Sequence, residues 1–192
     1  VVERLRAAHA AEPAQRARVL AVKDFQSRRF GRCYADLLAD PRYRSAARFF
    51  LDELYGPFEF ADRDAQFARV VPSVVRLFPA ELGSTLEDLA QLHAMSERLD
   101  DRMARFLEAE HLSTVDARAY VRAWQATGEP ESRRRQIALT LGVGRSLDRH
   151  TRHRLLRLTL RMMRAPARAA GLGALQRFLE VGFDAFAAMN GA

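Results

Sequence analysis

Apolar residues recur every three to four positions along almost the whole chain, and that period predicts helices. From Ala14 onward Val19, Val22, Phe25, Phe30, Tyr34, Leu37 and Leu38 mark one long amphipathic helix, with Pro13 near its start. Asp40-Pro41 reads as an N-cap followed by proline at the first helical position. The helix it opens runs to Tyr55 and puts Tyr43, Ala46, Ala47, Phe50, Leu51 and Leu54 on one face. Phe49 and Tyr55 fall off that face. Gly56 suits a left-handed C-terminal cap, and Pro57 keeps the helix from resuming. Asp62 is expected to cap the next helix, with Asp64 in its first turn. That helix carries Phe67, Val70, Val71, Val74 and Leu77, and Pro72 is expected to kink or divide it.

The second half reads the same way. Ser84-Thr-Leu-Glu87 has the form of a capping box and opens a helix to about Ala109. Ser113 to Asp116 opens another, which Gly128 closes, and Pro130 starts the next. There Ile137, Leu139, Leu141 and Val143 alternate as a strand would, but a lone strand would have no partner, so a helix is expected. Asp148 caps a helix from Arg149 to Arg164, Pro166 and Gly171 mark a break, and Leu175 to Met189 forms the last helix. The pattern therefore predicts an all-α bundle of about eight helices, with residues 1–192 forming a single domain joined by short connections.

Composition changes this picture little. At 48% hydrophobic and 29% charged residues, 192 residues suit one globular domain with a real core. No apolar run reaches the ~18 residues of a membrane span, and no leader-like segment opens the chain. Because the chain begins at Val1, residues before it are expected. Cys33 is the only cysteine, which excludes an internal disulfide and fits a cytoplasmic location. Charge is more telling. Residues 1–128 carry 19 basic and 19 acidic side chains, whereas residues 129–192 carry 12 basic and 5 acidic. The whole excess of +7 lies in the last third, an asymmetry that points to an anionic partner.

The stretches RCYADLLADPRYRSAARFFLDELYGPFEFADRD and RVVPSVVRLFP, with RQIALTLGVGRSLDR and RAPARAAGLGALQRFLEVGFDAF further on, carry a resemblance. They resemble an uncharacterised family of proteobacterial helical proteins, over nearly the full chain. The resemblance implies a single all-helical unit and relatives that continue past Gly191. It implies no activity, cofactor or catalytic residue.

Candidate chemistry concentrates at three places. On the helix that carries Leu89, Leu92, Leu99 and Met103, the polar residues His93, Ser96 and Asp100 fall inside or beside the apolar face. A histidine oriented by a carboxylate serves general bases and metal or haem ligation, so these three make a candidate pocket for a small molecule or a haem-type ligand. The second place is the run Arg154, Arg157, Arg161 and Arg164, a basic stripe suited to phosphate, nucleic acid or an acidic membrane surface. Its opposite arc of Leu155, Leu156, Leu158, Leu160, Met162 and Met163 is expected to be core. The third is the aromatic pair Phe49 and Tyr55, an expected homodimer or partner anchor.

Other patterns are weak. His150 and His153 have metal-pair spacing but sit among arginines that repel a divalent ion. Glu108 and His111 form one Glu-x-x-His, where a di-iron bundle needs two. No phosphate loop, dinucleotide fingerprint or nucleophile turn is present, and no metal, cofactor or catalytic residue is expected. The expectation is a non-catalytic cytoplasmic interaction module that self-associates or holds an anionic partner, with the ligand binder as its alternative.

Overall fold

The computed structural model describes residues 2–54, 56, 61–77, 80–112 and 114–189. Among these residues there are eleven α-helices and no strand. The first is α1 (Val2–Ala11), and α2 (Pro13–Cys33) begins at the proline that ends it. Tyr34, at φ −122° and ψ 36°, separates α2 from the short α3 (Ala35–Ala39), so the one long helix expected there is two. α4 (Arg44–Phe49) starts later than expected. Asp40 turns the chain first: its side chain accepts from the Arg42 N–H at 2.8 Å and its carbonyl from the Arg44 N–H at 2.8 Å. A π-helical turn, Phe50–Leu54, extends α4.

α5 (Ala61–Leu77) runs through Pro72 without being divided. α6 (Ala80–Ala109) begins before Ser84, so the Ser84–Glu87 box lies inside the helix and does not mark its start. α7 (Ala117–Thr127) follows local rules. Asp116 accepts from the Ala119 N–H at 2.7 Å, and Gly128 closes the helix at φ +63°, where a side chain would be strained. α8 (Pro130–Thr151) takes the alternating stretch as helix. Leu139 and Val143, four apart, are buried, while Ile137 and Leu141 face outward. Asp148 lies inside α8, and its carboxylate accepts from Arg152 at 2.6 Å, so it is not the expected cap. α9 (Arg154–Met162), α10 (Arg164–Ala169) and α11 (Gly173–Ala187) complete the fold. Eleven helices replace the expected eight because the chain also breaks at Glu12, Tyr34 and Met163, while the break at Arg152–His153 replaces the one expected at Asp148.

Two apolar clusters form the interior. Val19, Val22 and Phe25 of α2 meet Met103, Ala104 and Leu107 of α6 and Ala119, Tyr120 and Ala123 of α7, with Phe25 stacked on Tyr120 at 4.7 Å. The other cluster joins Phe49 of α4 to Leu175, Phe178 and Ala185 of α11, with Phe67 and Val70 of α5 packed against it.

Phe49 is only 5% exposed, which corrects its reading as a surface anchor. One buried stripe accounts for only one side of this helix, whereas α4 with its π-helical extension is sandwiched and buries two. Phe49 packs on Phe178 at 5.3 Å and Phe186 at 6.2 Å, while the next residue, Phe50, stacks on Phe30 at 5.0 Å. Tyr55, Phe58 and Phe60 lie outside the described residues, as do the flanks of the Gly56 cap.

The Phe49 ring lies where Gly182 has no side chain; a Cβ there would meet its Cζ at 2.8 Å. Alanine at 182 gains about 1 kcal/mol of helix propensity, but overpacking a wedged ring costs about 1–3 kcal/mol. Gly182→Ala is therefore expected to lower stability to denaturant, and adding Phe49→Leu is expected to recover most of the loss. A Gly182→Ala variant as stable as the parent would refute this packing.

Candidate functional site

α6 is about 45 Å long and touches α1, α2, α5, α7 and α8. Its polar residues reach several different neighbours. His93 Nε2 faces the Asp64 carboxylate of α5 at 3.0 Å. Ser96 accepts from the Gln136 amide of α8 at 2.8 Å. The Asp100 carboxylate accepts from the Gln26 amide of α2 at 2.8 Å. Asp101 meets His9 of α1 at 2.8 Å and accepts from the Gln15 amide at 3.0 Å and from Arg105 at 3.1 Å. The expected trio of His93, Ser96 and Asp100 is therefore not gathered at one point. His93 and Asp100 are two turns apart, about 10 Å along the axis, and Asp64 rather than Asp100 orients the histidine.

Asp64 is the hub of this polar seam. It binds Arg6 of α1, Arg63 and His93 together. Burial pushes its carboxyl up, but the His93 hydrogen bond and the charges of His93, Arg63 and Arg6 win and hold it at about 2. Arg63 also binds the Glu53 carbonyl and lies over the Phe178 ring at 4.6 Å, which ties the aromatic corner to the seam. Asp101 is likewise held below the usual carboxylate range: burial raises it, and hydrogen bonds from Gln15, His9 and Arg105 outweigh that. Asp100 goes the other way. Its burial outweighs the pull of Lys23 and the Gln26 hydrogen bond, and its carboxyl is pushed up to about 6.

His9, Asp101 and Gln15 escaped the sequence reading. A histidine between alanines and two adjacent aspartates are ordinary until a third helix brings them together. In sequence Asp64 shows only as an acid in the first turn of its helix. Among the described residues no group of three or more His, Cys, Asp or Glu could hold a metal ion. His150 and His153 do not share a helix face, because α8 ends between them; His150 pairs instead with Thr85 at 3.3 Å.

The second candidate lies on α9 and α11. Two carboxylates one turn apart on α11, Glu180 and Asp184, face arginines of α9 and of the start of α10. Arg164 Nε reaches both oxygens of Glu180, at 2.7 and 2.8 Å, and Arg157 reaches Asp184 at 2.6 Å. The Arg164 hydrogen bond, and secondarily Gln176 and the Arg161 charge, hold the Glu180 carboxyl below its usual range against slight burial. Between the two helices lies a cavity of about 10 Å³, lined in part by Arg157, Arg161, Arg164, Glu180 and Asp184, room for no more than one water. Arg161 is exposed, with no hydrogen bond or ion pair among the described residues. The side chain of Arg154 lies outside what the structure describes.

The leucine arc of α9 is not core. Leu155 is 79% exposed, Leu158 54% and Met162 63%, and Met163 is also exposed. Only Leu156 and Leu160 are half-buried. The helix sits at the edge of the fold, against α8, α10 and α11, and its Arg157, with Arg164 of α10, turns toward the α11 acids. Too few neighbours remain to cover a wide apolar arc.

The model of the family described as domain of unknown function (DUF8198) matches residues 5–192. The chain belongs to this family. Comparison with curated proteins and with solved structures finds no match. The seam and the α9 face are thus features of a DUF8198 chain read from its own geometry.

The raised Asp100 carboxyl gives the seam a pH signature. A group protonated more readily in the folded state adds stability below its unfolded value near 4, and that contribution is lost as pH rises through about 6. Asp100→Asn keeps an oxygen for Gln26 and removes the charge. It is expected to be more stable than the parent by about 1–3 kcal/mol at pH 8, with the difference vanishing at pH 4. Denaturant midpoints at both pH values measure this; an equal difference at the two would refute it.

Proposed function

We propose that the protein is a non-catalytic cytoplasmic interaction module that holds an anionic partner on the outer surface of α9 and α10. The observation that carries this reading is the chemistry of residues 149–179, which contain eight arginines and no acidic residue. Arg161 and Arg168 are exposed, with no salt bridge among the described residues, so their charge is available to a ligand. Exposed Cys33, the only cysteine, suits a reducing compartment. No helix among the described residues is long and apolar enough to cross a membrane.

The competing readings have less behind them. A ligand pocket at His93, Ser96 and Asp100 would need three side chains that instead point to α5, α8 and α2. A homodimer through Phe49 would need a ring that is buried against α11.

The test is binding to heparin and to inorganic polyphosphate across a salt series. The parent protein is expected to bind both, with affinity falling steeply as salt rises. Arg161→Glu with Arg168→Glu is expected to weaken binding about tenfold or more, because each reversal removes a cation and adds a repulsion. Absence of binding at low salt, or binding unchanged in the double variant, would overturn the proposal.

A further inference from the structure

We infer that the anionic partner is a lipid bilayer surface, which α9 enters from the side with Leu155, Leu158 and Met162. The inference rests on the proposed anion-binding role and adds a requirement that role lacks: contact with hydrocarbon.

The side chains of α9 divide by angle into distinct stripes. At about 100° per residue, Leu155, Leu158 and Met162 fall within an arc of about 60°. Leu156 and Leu160, half-buried toward the body of the protein, lie on roughly the opposite side. The apolar arc is therefore the outermost part of the helix, and its members are the most exposed leucine and methionine side chains on it. Arg161 lies between this arc and the paired Arg157 and Arg164, so a cation with no salt bridge among the described residues borders the apolar stripe. An arc of exposed leucine and methionine with arginines at its edge is the arrangement by which amphipathic helices lie in the plane of a bilayer, apolar side chains at the acyl boundary and cations among the headgroups.

Charge complementarity selects this occupant over others. A second copy of the chain would bring one arginine-rich, acid-free segment against another, and like charges would oppose contact. A nucleic acid would satisfy the arginines and leave the leucines against water, and no aromatic side chain stands on α9 to stack a base. An anionic bilayer satisfies both kinds of residue at once. The two acids that face α9 do not cancel the effect, since Glu180 and Asp184 are matched by Arg164 and Arg157, leaving Arg161 and Arg168 in excess. α8 repeats the composition on its own outer side, where Ile137 and Leu141 stand on one stripe with Arg134 and Arg145.

The experiment is flotation of the full chain with vesicles of phosphatidylcholine alone and of phosphatidylcholine with about one-third phosphatidylglycerol. The parent is expected to float with the anionic vesicles and much less with the neutral ones. Leu158→Ser with Met162→Ser changes two exposed positions, so folding should be unaffected. It is expected to lower vesicle binding roughly tenfold to a hundredfold while leaving heparin binding unchanged. Three results would overturn the inference: heparin binding without vesicle binding, vesicle binding that the double variant retains, or a dimer that the double variant dissolves. The first of these leaves the anion-binding role standing. Loss of both heparin and vesicle binding in the parent removes the role and the inference together.

Discussion

Asp100 and Asp101 follow one another on α6, and successive residues of a helix point about 100° apart, so the two carboxylates are met by different donors. Both are buried. A buried carboxylate without a partner is far more costly than a neutral polar group, so each must be met by donors from another helix. That single constraint fixes much of the arrangement around α6. Asp101 requires His9, which holds α1, and Gln15 at the start of α2. Asp100 requires Gln26 further along α2. Apolar packing between α2, α6 and α7 would tolerate sliding; these fixed donors select one register.

The two halves of the fold use different means to the same end. Around α2, α6 and α7 the interior is aliphatic with one stacked aromatic pair. Around α4, α5 and α11 it is dominated by phenylalanine rings. Arg63 joins the aromatic half to the polar seam, since its guanidinium meets Asp64, the Glu53 carbonyl and the face of Phe178. One side chain therefore satisfies a carboxylate, a backbone oxygen and a π face, a use for which the flat, delocalised guanidinium is suited.

What the sequence revealed and what it hid follow the range of the interactions. Asp116, Gly128 and Pro130 set helix ends through contacts within three residues, and each does what its local chemistry implies. Ser84 and Glu87 have the same local form, yet the helix runs on to Ala80, because a capping box states where a helix can start and not where it must. The Asp64–His93 pair joins residues 29 apart on two helices, and no periodicity on either one announces it. On α9 the pattern marks an apolar arc but carries no information on whether a neighbour covers it, and here the body of the protein half-covers only Leu156 and Leu160 and leaves Leu155, Leu158 and Met162 exposed.

The elbow between α7 and α8 has a bearing on how the chain assembles. Glu129 adopts φ +57°, a left-handed conformation that a side chain disfavours. Its carboxylate accepts two hydrogen bonds from Arg98, both at 2.6 Å, with Arg102 and Ser132 beside them. The strained residue is thus stabilised chiefly by arginines of α6, about thirty positions upstream. A hairpin of α7 and α8 without α6 would keep the strain and lose those donors. The turn therefore draws part of its stability from tertiary contacts with α6 and not from its own residues alone.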